Sequence, residues 1–362
     1  MRPTKLTIST AAIAANLREI AQKTQSPVMA VVKADAYGHG AVPVARACQR
    51  AGAAGFAVAT AEEALELRKA GITQPILVLG APDEELLEAM ISADISFALF
   101  GESTLLCAQS IAAAVQKQAR AHLKVDTGMR RIGACWNALD ALLDAWQTCP
   151  DVRMEGVFSH FAAADGDEEF TRTQAERFDA ALAQVRARGF SPLCHMAASS
   201  AMANPALRYD AVRAGIALYG TGVPGFSLQY AQELTTRAVR IAWIQAGETV
   251  GYGRTFTAAR DTRVATLPIG YGDGYPRILG NRADVLVRGK RVPVIGRVCM
   301  DMLMVDITDV PEAGMEDAFT LMGAQGGERI SPDELAERAQ TIPYEIMLGF
   351  SPRVRREWDD EG

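Results

Sequence analysis

The sequence lacks the features that mark membrane, nucleic-acid-binding and metal-binding proteins. No apolar run among its 362 residues is long enough to cross a bilayer, and the amino-terminal segment MRPTKLTIST contains no hydrophobic signal. A net charge of -6 offers no basic surface to nucleic acid. The six cysteines are scattered without a CxxC pair. We therefore expect free thiols, no metal site and a cytoplasmic protein that needs neither membrane nor nucleic acid.

Up to about residue 230, short apolar runs alternate with Ala-rich segments of helical period. Eight such strand-and-helix units predict an α/β fold, a TIM-type (β/α)8 barrel over residues 1–230. The predicted strands are Val28–Val32, Phe56–Ala59, Ile76–Leu79, Ile95–Phe100, His122–Val125, Glu155–Phe158, Leu193–Met196 and Ala211–Leu218.

Three segments between these strands carry clear helix signals. Thr60, followed by Glu62 and Glu63, predicts a capped helix that closes before Gly71. Residues 103–119 and 170–189 have the spacing of further helices, and the second carries one apolar face.

After residue 230 the pattern changes to alternating and β-branched runs, which predict a mainly-β domain over residues 231–362. A short helix capped by Ser331 should follow, and the tail from Arg353 should be a solvated end. The predicted strands are Thr235–Ile244, Arg263–Leu267, Asp284–Val287, Val292–Ile295 and Met302–Ile307.

The clearest chemical signal is the stretch VMAVVKADAYGHG, residues 28–40. It places Lys33 at the end of a buried strand, before a tight turn that two glycines should permit. A lysine there either marks the strand end and reaches solvent, or is a partly desolvated amine that bonds to a carbonyl group. The run VVKADAYGHG resembles the pyridoxal-phosphate attachment site of alanine racemases, which favours the second interpretation.

The resemblance covers most of the chain, from Lys33 to Tyr344, with the motifs in family order. It implies an enzyme that interconverts L-alanine and D-alanine on pyridoxal 5'-phosphate, supplying D-alanine for peptidoglycan. It also implies a head-to-tail homodimer, in which each C-terminal domain contributes to the partner subunit's active site. Lys33 would hold the cofactor and act as one of two catalytic bases, and Tyr37 would bind the cofactor.

Arg213 lies in the eighth predicted strand, in the run VRAGIALYG. Arginine does not give up its proton, so a cofactor ring nitrogen that accepts its hydrogen bond stays neutral. A weaker electron sink favours returning a proton to Cα, as racemisation requires. The resemblance gives Arg213 this role and makes His160 its support.

Small residues after the seventh and eighth strands predict a phosphate site, because barrels often bind phosphate there. Ser199 provides a hydroxyl, and Gly215 lets backbone N–H groups approach closely. The resemblance adds Ile216 to this site. It also shows a departure, since the family commonly has Asn where Ala198 stands, which predicts weaker holding of the cofactor.

In the fifth strand, Lys124 and Asp126 share one face. On the residues alone they could form an ordinary pair at a strand end. The resemblance implies instead that Lys124 is carbamylated and orients Arg131, which contacts the cofactor's phenolic oxygen and the substrate carboxylate. Arg130 stands where the family usually has glycine.

Four residues of the C-terminal part have roles implied by the resemblance alone. Tyr252, between two glycines, would be the second catalytic base, although such a tyrosine is more often an aromatic anchor in a turn. The backbone of Met300 would contact the substrate carboxylate. Tyr271 would form an entrance gate, and Tyr344 would bind the phosphate.

Three alternatives stay open beside alanine racemisation. A broad-specificity or serine racemase of the same fold would carry the same motifs. A decarboxylase is disfavoured because Arg213 stands where an acidic partner would be needed. A non-catalytic pyridoxal-phosphate-binding protein would resemble the barrel alone, whereas this chain also has Tyr252 and Met300 in a second domain.

Overall fold

A computed structural model describes residues 2–359, which divide into two compact units. The barrel unit comprises residues Ile13–Ala36 and Gly40–Leu228. The β unit comprises residues 2–12, Tyr37–His39 and 229–359. The chain's first strand therefore lies in the β unit, whereas the sequence analysis gave all of residues 1–230 to the barrel.

The barrel unit is built on eight parallel strands that pair in chain order. The eighth strand pairs with the first, and a parallel bridge between His195 and Ala211 joins the seventh strand to the start of the eighth. The predicted barrel is thus confirmed. In order, barrel strands one to eight are Val28–Val31, Gly55–Val58, Ile76–Val78, Ser96–Leu99, Ala119–Asp126, Val152–Phe158, Leu193–His195 and Val212–Ala214.

Helices follow most of the barrel strands and cover the outside of the sheet. The α-helices up to residue 228 are Thr10–Thr24, Lys33–Gly38, Ala41–Arg50, Ala61–Lys69, Leu87–Ser92, Glu102–Val115, Asp140–Gln147 and Glu168–Ala187. Short 3-10 helices are Glu84–Leu86, Pro205–Leu207 and Ile216–Tyr219.

The predicted helix caps are present. The Thr60 hydroxyl accepts the Glu63 N–H, and the Glu63 carboxylate accepts the Thr60 N–H in return, so helix Ala61–Lys69 begins with a full capping box. The helix predicted over residues 103–119 ends earlier, at Val115. Gln116 adopts a left-handed φ of 55°, which stops the helix and frees the following residues for strand five.

The prediction of one strand over Ala211–Leu218 was wrong in its second half. The strand ends at Ala214, and Ile216–Tyr219 forms a 3-10 helix whose four side chains are all buried. A short apolar run is equally compatible with a buried strand and a buried helical turn, so its pattern could not separate the two.

The β unit contains a ten-stranded sheet, mostly antiparallel. The run Thr235–Ile244, predicted as one strand, forms two. The strands of the β unit are Lys5–Ile8, Gln232–Thr236, Arg240–Ile244, Thr249–Val250, Phe256–Thr257, Thr262–Leu267, Asp284–Val287, Lys290–Ile295, Leu303–Asp306, Phe319–Gln325, Glu328–Ile330 and Arg355–Trp358. Thr249–Val250 and Phe256–Thr257 pair only with each other.

The carboxyl-terminal segment is a strand and not the solvated end that the sequence predicted. Arg355–Trp358 pairs in parallel with Lys5–Ile8. Three of its four residues are charged, which hides the strand in the sequence, and its partner strand lies some 350 positions away, as the Lys5–Glu357 hydrogen bond shows with a separation of 352.

The remaining helices of the β unit lie near its end. Ser331 caps helix Pro332–Ala339 by accepting the Glu334 N–H, as predicted, and helix Pro343–Leu348 follows. Three 3-10 helices, Tyr252–Arg254, Tyr271–Asp273 and Arg277–Leu279, complete the unit.

The described residues 2–359 contain no helix long and apolar enough to span a bilayer. Across the same range, no group of three or more His, Cys, Asp or Glu side chains is arranged to hold a metal ion. All six cysteines are free thiols.

Candidate active site

Lys33 follows the first barrel strand and opens a left-handed helical turn. Residues 34–37 all have φ between 52° and 55°. A left-handed helical residue with a Cβ costs about 1–2 kcal/mol relative to its right-handed form. Gly38 and Gly40 take positive φ values of 81° and 91°, as the sequence predicted, but the four non-glycine residues before them carry positive φ as well. Such strain is typical of functional sites.

Carboxylates on both sides hold this turn in place. Glu63, the residue of the capping box, accepts the backbone N–H of Ala34 at 2.7 Å through its second oxygen. Asp35 accepts the backbone N–H of Ala41 at 2.7 Å. Glu63 therefore joins the amino-terminal cap of helix Ala61–Lys69 to Ala34, the residue that follows Lys33.

The amine of Lys33 lies in a cationic environment. Partial burial lowers its pKa, and the positive charges of Arg131 and Arg213 lower it further, against the opposing effect of Glu63. A lysine with a lowered pKa has more of its free amine at neutral pH and is a better nucleophile.

Arg213 is the most deeply buried charge of the site, with 2% of its surface exposed. Its terminal nitrogens donate to the ring Nδ1 atoms of His195 at 2.7 Å and His160 at 3.2 Å. They also donate to the carbonyl groups of Ser159, His195 and Met196. Burial and the charge of Arg131 lower the pKa of Arg213 to about 10, so the guanidinium stays charged at neutral pH.

Both histidines beside Arg213 are held neutral. Burial and the charge of Arg213 lower the pKa of His160 to about 2, and the same causes hold the pKa of His195 well below its ordinary value. The sequence analysis named His160 but missed His195, which makes the shorter bond. The sequence signal available for His195 was the alternation of side chains along strand seven, which places Cys194 and His195 on opposite faces.

Lys124 is also buried, with 5% of its surface exposed. Its amine lies 4.6 Å from the centre of the Phe158 ring. Burial and the charges of Arg213 and Arg131 hold its pKa well below the ordinary value, while Asp126 acts in the opposite direction. The amine is therefore a nucleophile within the same cationic cluster.

The Asp126 carboxylate caps the loop that carries Arg131. It accepts the backbone N–H groups of Gly128 at 2.9 Å and Arg130 at 3.1 Å. Arg130 has a left-handed φ of 59°, a conformation that favours glycine. This backbone requirement accounts for the glycine that the resemblance leads one to expect at this position.

Ser199 lies beside the backbone of the turn that follows strand eight. The Ser199 hydroxyl accepts the N–H groups of Gly215 at 3.1 Å and Ala217 at 3.2 Å. Ile216 lies between them, in the first position of the 3-10 helix. The Ser199 hydroxyl keeps its own proton to donate, and no acceptor is described for the Ile216 N–H, so these two groups suit an anion such as phosphate.

In the β unit, Tyr252 is 70% exposed and stands between Gly251 and Gly253, both with a φ of 72°. It lines an open pocket of about 540 Å³ together with Met300 and its neighbours. The full lining is Gly251, Tyr252, Cys299, Met300, Asp301, Met302 and Met304.

Three further predicted residues are held within the β unit. The Tyr271 N–H donates to the Cys299 carbonyl at 3.0 Å, which ties the gate candidate to the Met300 segment. The rings of Tyr37 and Tyr344 lie 5.7 Å apart, and burial together with Tyr344 raises the pKa of Tyr37.

The structure thus gathers the predicted residues into two sets. The barrel unit brings together Lys33, Lys124, Arg131, His160, Ser199, Arg213, Gly215 and Ile216. The β unit holds Tyr37, Tyr252, Tyr271, Met300 and Tyr344. The barrel set combines a nucleophilic amine, fixed cations and a nest of N–H donors, an arrangement that can bind an anionic carbonyl compound covalently.

Comparison with known families gives two matches that together span most of the chain. Residues 8–223 match the family model described as the N-terminal domain of alanine racemase. Residues 231–358 match the model of its C-terminal domain.

Named relatives match over their full length. The alanine racemase of Symbiobacterium thermophilum is 44% identical, over 100% of this chain and 98% of its own length. Alanine racemase 2 of Caldanaerobacter subterraneus is 40% identical, over 98% of this chain and 95% of its own. The crystal structure of alanine racemase from D-cycloserine-producing Streptomyces lavendulae is similar with a TM-score of 0.94 and 35% identity, covering 100% and 98% of the two chains.

The electrostatic environment of Lys33 predicts how its reactivity depends on pH. We expect the rate at which a small aldehyde and borohydride label Lys33 to rise with a midpoint below about 10.4, the value of an unperturbed lysine. Arg131→Gln removes a positive neighbour and should raise that midpoint, whereas Glu63→Gln removes a negative one and should lower it. Labelling is measured by peptide mass spectrometry; shifts of opposite sign would contradict the assignment.

Proposed function

This chain belongs to the alanine racemase family, and we propose that it interconverts L-alanine and D-alanine with pyridoxal 5'-phosphate as cofactor. The observation that carries the proposal is the placement of a nucleophilic lysine, Lys33, and a buried arginine, Arg213, in one barrel. The product D-alanine would serve peptidoglycan synthesis. The free thiols of all six cysteines agree with a cytoplasmic enzyme.

The donors of the barrel unit fit each functional group of the cofactor. Lys33 would bond to the aldehyde carbon, and Ser199 with the N–H groups around Gly215 and Ile216 would hold the phosphate. When bound, the cofactor acidifies the α-hydrogen of an amino acid joined to it. We also assign Tyr37 and Tyr344 as cofactor contacts.

Arg213 is the residue that restricts the chemistry to proton exchange at Cα. Among the residues that the structure describes, its Nε–H has no acceptor, so this group can donate to the cofactor's ring nitrogen. Because arginine keeps its proton, the ring nitrogen would stay unprotonated. The electron sink is then weak, and a proton removed from Cα returns to Cα.

Inversion at Cα requires two bases on opposite faces of the substrate. The Lys33 amine would move the proton on one face. We assign the other face to the Tyr252 hydroxyl of the partner subunit in a head-to-tail homodimer. The 70% exposure of Tyr252 and the open pocket that it shares with Met300 support a role at a subunit contact.

Arg131 would bind the substrate carboxylate, with Met300 and the Tyr271 gate at the substrate side. Four cations act on one another in this site, Lys33, Lys124, Arg131 and Arg213. An anion on Lys124 would relieve their repulsion. We therefore assign Lys124 as a carbamylated lysine: its amine adds to carbon dioxide, loses one proton, and becomes a carbamate that orients Arg131.

A direct assay tests the proposed reaction. The purified enzyme loaded with pyridoxal phosphate should convert L-alanine to an equal mixture of both enantiomers, measured by circular dichroism or chiral chromatography. Lys33→Ala should lose this activity and the borohydride-trapped cofactor adduct. L-serine and longer amino acids, assayed beside alanine, show how broad the substrate range is. Full activity in Lys33→Ala would refute the assignment.

The carbamate on Lys124 is expected to be visible without an activity assay. Enzyme equilibrated with carbon-13 bicarbonate near neutral pH should show a carbamate carbon signal that is absent in Lys124→Arg, which keeps a cation but not the lowered pKa. A wild-type spectrum identical to that of the variant would rule out the modification.

The role of Tyr252 is tested by mixing inactive subunits. Tyr252→Phe should slow racemisation in both directions by about a hundred- to ten-thousand-fold, the usual effect of losing a general base. The cofactor adduct on Lys33 should remain. Hybrid dimers of Lys33→Ala and Tyr252→Phe chains should regain activity, because one site then has both bases. Inactive hybrids, with mixing verified by mass, would place Tyr252 outside the partner's site.

A further inference from the structure

A chain of polar side chains leads away from Arg213 into the barrel interior, where parallel barrels normally pack apolar residues. The first member is His195, which bonds to Arg213 through Nδ1. Its Nε2 atom lies 3.0 Å from His122 Nδ1. His122 Nε2 lies 3.5 Å from Glu155 Oε2. His122 and His195 are 3% and 0% exposed. We call Glu155, His122 and His195 the histidine chain.

The bond between Arg213 and His195 fixes the direction of the hydrogen bonds in the histidine chain. Arg213 is an obligate donor, so the His195 Nδ1 atom must accept. Neutral His195 then carries its proton on Nε2 and donates it to His122 Nδ1. His122 in turn carries its N–H on Nε2, the atom that faces the Glu155 carboxylate.

Two features of strand six build the outer end of the chain. Ala121 pairs with Met154 and His122 pairs with Gly156, so Glu155 is the extra residue of a β-bulge. A bulge re-aims a side chain that regular alternation would point the other way. A Cβ atom at residue 156 would overlap the His122 ring, so the ring's place depends on glycine.

Glu155 is anchored as a carboxylate at this outer end. Ser96 donates to its Oε2 at 2.5 Å, and Arg120 lies 3.6 Å from its Oε1. The His122 N–H that faces its Oε2 at 3.5 Å, helped by the Ser96 hydrogen bond and opposed by burial, lowers the pKa of Glu155 to about 2. The chain thus ends in a negative charge at neutral pH.

We propose that Glu155 and His122 are positioning residues for the reaction, which act through His195 to hold the Arg213 guanidinium in its donating orientation. The inference rests on the proposed function for its purpose but not for its geometry. Hydrogen bonds in one direction strengthen each other, and a terminal carboxylate favours donation along the whole chain. The described contacts link Glu155 and His122 to Arg213 through His195, so both act through Arg213.

The geometry is tested in the cofactor-free protein by nitrogen-15 spectroscopy of its four histidines. Histidine-to-glutamine variants assign the signals. We expect His195 and His122 to be neutral tautomers protonated on Nε2. Glu155→Leu should shift the signals of both rings, while His39, which lies in the β unit, stays unchanged. Protonation of His195 on Nδ1, or no His195 shift in Glu155→Leu, would overturn the proposal.

Two further variants separate charge from packing. Glu155→Gln keeps an acceptor and should give a smaller shift, which also serves if Glu155→Leu does not fold. Gly156→Ala keeps every ionisable group but displaces the His122 ring, and should reproduce the His195 shift of Glu155→Leu. Glu176→Leu, an exposed glutamate of helix Glu168–Ala187, is the matched control and should leave both rings unchanged.

The loaded enzyme provides a second readout. Glu155→Leu should lower kcat by about tenfold, as outer-shell partners do at metal sites, and should also shift the absorbance maximum of the bound cofactor. If the roles are purely structural, the variant's melting temperature falls but the absorbance maximum does not move. That result would overturn the proposal. If the wild type shows no racemisation, the proposed function fails. The histidine spectra of the cofactor-free protein still test the geometry of the histidine chain.

Discussion

The barrel unit depends on one constraint, the full positive charge of Arg213 held in the barrel with 2% of the residue exposed. A buried guanidinium is tolerated only when its N–H groups are satisfied. Three carbonyl groups and two histidine nitrogens accept from its terminal nitrogens. These acceptors come from the ends of strands six and seven, so the barrel's own hydrogen bonding fixes where the charge lies.

The other ionisable groups respond to that charge. His160 and His195 stay neutral, and the amines of Lys33 and Lys124 lose their protons more readily. The Phe158 ring lies beside two of these cations, with its centre 4.6 Å from the Lys124 amine and 5.6 Å from the Arg213 guanidinium carbon. Burial is the largest cause of all four pKa shifts, and the charge of Arg213 adds to each, after that of Arg131 in the case of Lys33. Together they make the two lysines more nucleophilic and keep the two histidines as acceptors.

The sequence predicted the eight barrel strands and named most of the charged residues that lie around Arg213, because buried apolar runs and short motifs are local signals. It could not predict features that depend on distant partners. Arg355–Trp358 forms a strand only because Lys5–Ile8 lies beside it. The left-handed turn at residues 34–37 contradicts the intrinsic preference of its residues, so tertiary contacts such as that from Glu63 decide it. His195 was missed although the alternation along strand seven was an available signal. His122 was missed because its link to Arg213 runs through His195, which only the strand register shows.

The central claim is that Arg213 keeps the proton exchange confined to Cα, and the amount of pyruvate formed per D-alanine tests it most directly. A proton added to the cofactor in place of Cα would, after hydrolysis by water, release pyruvate and leave the amino group on the cofactor. The account predicts a very low ratio in the wild type and in Arg213→Lys, which keeps a cation, and a raised ratio in Arg213→Glu, which can protonate the ring nitrogen. An equal ratio in all three folded, cofactor-loaded proteins would contradict the account.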